Sequence, residues 1–413
     1  MDRRGGAATM TATSAQSPPT PQGHDDAPVA LERIVGDLDD FDAHVLHQRP
    51  QVRDLTGVTL HRLLSLNDVD AMLTGAGLRT PFVSLVDDDR RIPEEHYQRR
   101  IRIGDTAVPD LVHPGRVLEH VGRGATLILQ GLQRYWPPVA QLCRQAEQRW
   151  AHACHANAYL TPPHARGFAE HTDGHDTLLI QTHGVKQWTV AQRPGGQITD
   201  LQENHGQWTL TLTAPAALYL PAGVRHAGVT CAQPSLHVTI GISPWTWQQA
   251  AHHIMDMALA SMNLPGRLPA GALTGRTPIH RQVTDLTARL ADTIRDLPPD
   301  TITAALTAGF IDKAPPPLSG QLQSVLAPSS VTDLSRVARR PGALATVTEI
   351  DDAAVLVLGD RRVRFPLAHA AVLRHVLTMP RLQVSDLAEF LPVRQRTALI
   401  DHLIHEGLLV TAP

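Results

Sequence analysis

Residues 170–190, EHTDGHDTLLIQTHGVKQWTV, decide how the rest of the chain is read. His171 and Asp173 stand two apart, and an extended chain turns positions i and i+2 to one face, so both side chains can address one ion. Alternating polar and apolar residues predict strands over Thr177–Thr182 and Lys186–Val190, separated by Gly184. The His-x-Asp spacing alone proves little. With 23 histidines and 30 aspartates in 413 residues, chance supplies one or two such matches. His24-Asp25-Asp26, in a polar tail, is one of them.

Context lifts the match at His171. Further short alternating runs at His155–Leu160, Gln207–Leu212, Ala217–Leu220 and Leu236–Ile242, punctuated by Gly, Pro or Asn, predict an antiparallel barrel or sandwich. Within them, residues 218–226, LYLPAGVRH, give an apolar strand, a Pro/Gly turn and then His226. The intervening chain is long enough for a barrel to bring His226 opposite Asp173. Two imidazoles and one carboxylate on one side of a metal form the facial triad of non-haem Fe(II) oxygenases, with positions open for cosubstrate and O2. A structural zinc site would close its fourth position, usually with thiolate. Neither motif contains a cysteine.

Lys186 is the second signal. The chain carries 37 basic residues, and only Lys186 and Lys313 are lysine. A 2-oxo acid chelating iron leaves its distal carboxylate in need of a cation deeper in the barrel, a role a long-stemmed point charge can fill. The competing reading is a surface lysine on a β-turn. Asn157 and Tyr159 share a strand face, and the phenol can donate to the same carboxylate. The competing reading there is a core tyrosine satisfied by backbone.

Elsewhere, helices are expected at Leu31–Asp40, Asn67–Ala76 and Val139–Trp150, with Glu95–Ile103 extended. After Pro244 come helical patterns at Thr246–Met262, Arg281–Leu297 and Thr301–Ala308, then a Pro-rich break at Ala314–Leu318. A hairpin over Ala353–Phe365 turning at Gly359-Asp360, helices at Ala368–Met379, Ser385–Leu391 and Val393–His405, and a strand at Leu408–Thr411 make the pattern of a winged helix. From Val331 onward ten arginines face nine carboxylates. That balance lacks the basic face of a DNA reader, so nucleic acid is not expected as a partner. Residues 1–28 are polar, lack an apolar leader core and read as a disordered tail. No run is apolar enough for a membrane helix. Cys143, Cys154 and Cys231 form no framework, which suits a reducing, cytoplasmic setting.

In order and spacing, the blocks N-x-Y-x-T-P (Asn157, Tyr159), H-x-D-x-x-D (His171, Asp173), Q-x-x-G-x-K-x-W (Lys186), L-Y-x-P-x-G-x-x-H (His226) and S-L-H-x-T (His237) resemble the JmjC/cupin superfamily. More narrowly they resemble its ribosomal-oxygenase (Cupin_4) subgroup of protein hydroxylases. The resemblance implies an α+β chain: a double-stranded β-helix catalytic domain at 29–245, a helical dimerisation region at 246–318 and a C-terminal winged helix at 319–413. It implies Fe2+ on His171, Asp173 and His226, 2-oxoglutarate on Lys186 and Tyr159, Asn157 in the pocket and His237 lining it. It also implies hydroxylation of a protein or peptide residue, a ribosomal protein among the candidates, with O2 as co-reactant, in a homodimer. Two departures stand out: Ala216-Ala217 replaces a Gly-Asp turn, and Gly241 replaces a serine of some relatives. His175 and His183 match no family ligand. A hydroxylase of a small metabolite or biosynthetic peptide would use the same iron site, and a cupin-sensor DNA-binding regulator is the reading from another class.

Overall fold

The computed structural model describes residues 29–196, 201–264, 266–326 and 330–412. The tail expected to be disordered, 1–28, lies outside them.

The fold is organised by one 15-residue strand, Asp176–Val190. Its first half pairs antiparallel with Ala216–Leu220 on one side and Ser235–Ser243 on the other. Its second half pairs with Gln207–Thr213 and His226–Val229. A single strand thus serves both facing sheets, which is how a double-stranded β-helix closes. The sequence suggested two strands here. The difference lies at Gly184, whose φ is +69°, and where an added Cβ would lie 1.8 Å from the Pro234 carbonyl oxygen. Glycine at this corner lets a neighbouring backbone pass close and the chain bend while pairing continues.

The larger sheet runs outward from Ser235–Ser243 through Ala153–Thr161, Thr126–Leu129 and Val83–Asp87, and on the other edge through Ala216–Leu220 to Gln51–Asp54. Val83–Val86 and Thr126–Leu129 are buried throughout. Covered on both faces, they lack the alternation that marks a half-buried strand, so the sequence did not announce them. The expected strand starting at Ala217 opens one residue earlier, at Ala216, so the departure at Ala216-Ala217 sits inside regular pairing.

Alternation sorts the strands' side chains between two apolar fillings. Leu178, Ile180, Val238 and Ile240 point outward into a core shared with Phe41, Val139, Leu142 and Trp150. Leu179, Trp188, Val190, Leu210, Leu212 and Leu218 fill the barrel interior. The expected helix over Leu31–Asp40 divides into Leu31–Val35 and Leu38–His44, because Asp37 caps the second by accepting from the Asp40 N–H. The helix expected from Val139 begins two residues earlier, on its two prolines, as Pro137–Trp150.

Beyond the barrel lie helices Trp247–Ser261, His280–Asp296 and Pro299–Ile311, the last packing Phe310 and Ile311 on Val355 and Val357. The C-terminal residues have their own core. Their hairpin gains a third strand, Ala345–Ile350, paired with Ala353–Leu358. Threonines and a glutamate make that segment too polar to be recognised before its partner is known. The helix expected at Ser385–Leu391 is a 3-10 turn, Val384–Leu387, whereas Ala370–Thr378 and Val393–His405 form as helices. Among the described residues, no helix is long and apolar enough to cross a membrane.

Candidate metal centre

His171 lies just before the long strand, and His226 opens its own short one. Their backbones pair: the His226 N–H donates to the His171 carbonyl at 2.9 Å, and the His171 N–H to the His226 carbonyl at 3.0 Å. Asp173 sits between their rings. Its Oδ1 is 3.9 Å from His171 Nε2 and its Oδ2 3.7 Å from His226 Nε2. The three donor atoms lie within 4.8 Å of one another, the only such group of three or more among the described residues.

Hydrogen bonds fix which nitrogens are free. His171 Nδ1 faces the Ala169 carbonyl and His226 Nδ1 the Val224 carbonyl, each at 2.9 Å. A carbonyl only accepts, so each Nδ1 carries the hydrogen and each Nε2 presents a lone pair toward the shared space. Thr177 Oγ1 donates to Asp173 Oδ2 at 3.1 Å and holds the carboxylate. Burial is the main cause that lowers the pKa of His226, keeping it in the neutral form a metal requires.

Lys186 lies deeper along the long strand, four residues before Val190, and its side chain leans back toward Gly228. Across the sheet, Gly228 pairs with Trp188 and His226 with Val190. A Cβ added to Gly228 would sit 2.8 Å from Lys186 Cε and 3.0 Å from the Trp188 ring, so this glycine makes the room the lysine occupies. The ammonium is buried, donates to Thr161 Oγ1 at 3.3 Å and sits 5.1 Å from the Trp188 ring centre. Among the described residues it has no carboxylate partner. Burial alone pushes its pKa down to about 7.

Around it the pocket wall is polar. His237 stacks on Tyr159 with ring centres 5.0 Å apart and meets the edge of Trp188 at 5.5 Å. Burial, and then repulsion from Lys186, hold His237 well below the usual imidazole range. Burial raises the Tyr159 phenol, which therefore stays a donor. His237 Nδ1, Trp188 Nε1, Gln181 Oε1 and Thr239 Oγ1 are buried with no hydrogen-bond partner among the described residues. Buried polar atoms rarely stay unpaired, so such a group marks a place for a ligand. The expected residues thus come together, with two qualifications. Asn157 accepts from the Gly131 N–H at 3.0 Å and so also anchors a loop. His183 is exposed, and His175 packs against His155 and the bare face of Gly241 rather than joining the triad. Thr161, Thr177 and Gly228 were not singled out from the sequence, although Thr161 stands within the N-x-Y-x-T-P block.

With a barrel closed by one shared strand and two histidines and an aspartate at its rim, residues 129–250 match the JmjC domain family. Among curated proteins, the bifunctional lysine-specific demethylase and histidyl-hydroxylase NO66 of Drosophila mojavensis is 31% identical over 156 residues, 35% of this chain and 17% of that protein. Its Dictyostelium discoideum counterpart is 31% identical over 163 residues, 37% of this chain and 32% of that protein. The chain therefore spans less than a third of the length of these relatives. Among solved structures, YcfD, a ribosomal oxygenase from Escherichia coli, shares the fold with a TM-score of 0.55 at 15% identity, covering 92% of this chain and 99% of that one. YcfD has also been solved in complex with cobalt and 2-oxoglutarate.

Proposed function

We propose that this protein is an Fe(II)- and 2-oxoglutarate-dependent oxygenase that hydroxylates an amino-acid residue of a protein or peptide. The observation that carries the reading is the pairing of an open His171–Asp173–His226 triad with a buried lysine whose side chain reaches Gly228, two residues along the strand from His226, and which has no carboxylate partner among the described residues. That placement suits a five-carbon 2-oxo diacid chelated at one end and charge-paired at the other. The donor set fits Fe2+, since two imidazoles and one carboxylate leave coordination positions free. When bound, the metal and cosubstrate supply the oxidising power: O2 and 2-oxoglutarate are converted to succinate and CO2, and one oxygen atom enters a substrate C–H bond.

The chain's own residues supply placement. The Ala169 and Val224 carbonyls hold the two imidazoles in ligand orientation, and Thr177 does the same for Asp173. Lys186, Thr161 and Tyr159 would receive the distal carboxylate, while Trp188 and His237 exclude water around it. Charge pairing in this dry wall is stronger than at a surface. His171 is exposed, so the triad opens to solvent on that side. The activities of these similar proteins, histidyl hydroxylation in NO66 and ribosomal oxygenation in YcfD, support a protein substrate.

The same reading assigns 29–245 to the catalytic domain, 246–318 to dimerisation and 319–413 to a winged helix, in a cytoplasmic protein. In support of a homodimer, helix His280–Asp296 buries no residue, although Val283 and Leu286 stand on it and Leu268 and Leu273 lie exposed nearby. Exposed apolar faces of this kind mark interfaces. The test is 2-oxoglutarate-dependent succinate release in the presence of Fe(II) and cell lysate, wild type against His171→Ala and Lys186→Ala. A one-oxygen mass gain on a ribosomal protein, lost in both variants, is expected. Turnover unaffected by either substitution refutes the reading, and oxygen gain confined to small molecules transfers it to a metabolite hydroxylase.

A further inference from the structure

On the outer face of the long strand, opposite the metal pocket, lies a second set of linked polar groups. Asp176 is buried, and its Oδ1 accepts from the Ala222 N–H at 2.8 Å. Its Oδ2 accepts from the Tyr219 hydroxyl and faces His47 Nδ1 at 2.5 Å. His47 Nε2 in turn faces His152 Nε2 at 3.3 Å. His152 Nδ1 accepts from the Trp245 N–H at 3.3 Å.

The direction of this chain follows from its fixed end. A backbone N–H can only donate, so His152 Nδ1 must bear a lone pair and its hydrogen must sit on Nε2. That hydrogen points at His47 Nε2, which must accept, so the His47 hydrogen sits on Nδ1 and is donated to Asp176. Burial lowers the pKa of His152, in keeping with a neutral ring. The other end leads to His226 and Asp173. Asp176 holds Ala222, the turn closes through Val224 N–H to the Pro221 carbonyl at 3.2 Å, and Gly223 N–H donates to the Asp173 carbonyl at 2.8 Å. The Val224 carbonyl then receives His226 Nδ1.

We propose that His152, His47 and Asp176 form a directed hydrogen-bond relay that positions His226 through the Pro221–Val224 turn. These are positioning residues, and the inference rests on the reading of His226 as a metal ligand. Outer partners of metal-bound histidines typically change metal affinity 10- to 100-fold when replaced, and this relay acts one step further out through backbone. Asparagine at position 47 is the informative variant. Its Nδ2 occupies the place of the imidazole Nδ1, and it tolerates the positive φ of 60° found there, whereas leucine offers no donor.

The experiment uses the full chain freed of metal, titrated with Co(II) alone, together with long-range 1H–15N spectra of the histidine side chains. In the wild type His47 is expected as the Nδ1–H and His152 as the Nε2–H tautomer. Asp176→Asn and His47→Leu are expected to weaken Co(II) binding by about tenfold or more, and His47→Asn to stay within about threefold of wild type. The opposite tautomers in the wild-type spectrum overturn the relay, and this holds even if a variant fails to fold. Equal Co(II) affinities of the Leu and Asn variants also overturn it. Wild-type protein that ignores Co(II) with the expected tautomers in place overturns the metal-site reading instead.

Discussion

Replacing Lys186 by methionine keeps the length of the stem and removes the charge. This ammonium is buried, with no carboxylate partner among the described residues, and burial lowers its pKa from an ordinary 10.5 to about 7. Between those values the unfolded chain binds more protons than the fold, so the ligand-free protein gains stability as pH rises through that window. Below about pH 7 the full penalty applies, on the order of 5 kcal/mol at about 1.4 kcal/mol per pH unit. Lys186→Met relieves it. The variant's ligand-free stability at pH 7 should therefore rise by a few kcal/mol, an upper bound from which about 1 kcal/mol of imperfect packing is subtracted. Cosubstrate binding moves the other way. Removing one partner of a buried charge pair costs roughly 2–5 kcal/mol, or about 30-fold upward in affinity. Denaturant midpoints with and without 2-oxoglutarate, and calorimetric titration, read both effects. In the wild type, binding should take up protons above pH 7, visible as heats that depend on the buffer's ionisation enthalpy. A methionine variant less stable than wild type that still gains stability from 2-oxoglutarate refutes the assignment of Lys186.

Three further outcomes follow from the same geometry. Gly228→Ala pushes a methyl group into Lys186 and Trp188; calorimetry should show 2-oxoglutarate binding weakened about tenfold or more, with Co(II) binding retained. Gly184→Ala meets the Pro234 carbonyl oxygen at 1.8 Å and a positive φ together, so the loss exceeds about 3 kcal/mol and soluble yield or melting temperature falls sharply. Because burial lowers the pKa of His226, its share of the stability is present above the ordinary imidazole value of 6.5 and is lost as pH falls through the depressed one. Metal release followed by Co(II) absorbance should therefore be confined to pH below 6.5; release above neutrality contradicts it.

The triad and Lys186 were legible because chemistry restricts them to few residue types at fixed strand spacings. His171-x-Asp173 obeys the two-residue period, the 218–226 turn delivers His226, and one lysine stands out in an arginine-rich chain. Polar atoms in a barrel wall leave such marks because each needs a reason to be there. Residues that act through backbone leave none. Nothing in the composition around His47, His152 or Tyr219 connects them to Asp176, since Tyr219 arrives by the pairing of Ala216–Leu220 with the long strand and the two histidines arrive from separate loops. The same limit hid the strands Val83–Asp87 and Thr126–Leu129, whose full burial erases alternation, and the continuity of Asp176–Val190, which depends on Pro234 passing over Gly184. The amino-acid sequence by itself determined the candidate ligand types and their order, because these follow from local period and side-chain chemistry. Only the tertiary structure decided that the ammonium has no carboxylate partner among the described residues and that His171, Asp173 and His226 share one space, because both depend on residues distant in the chain.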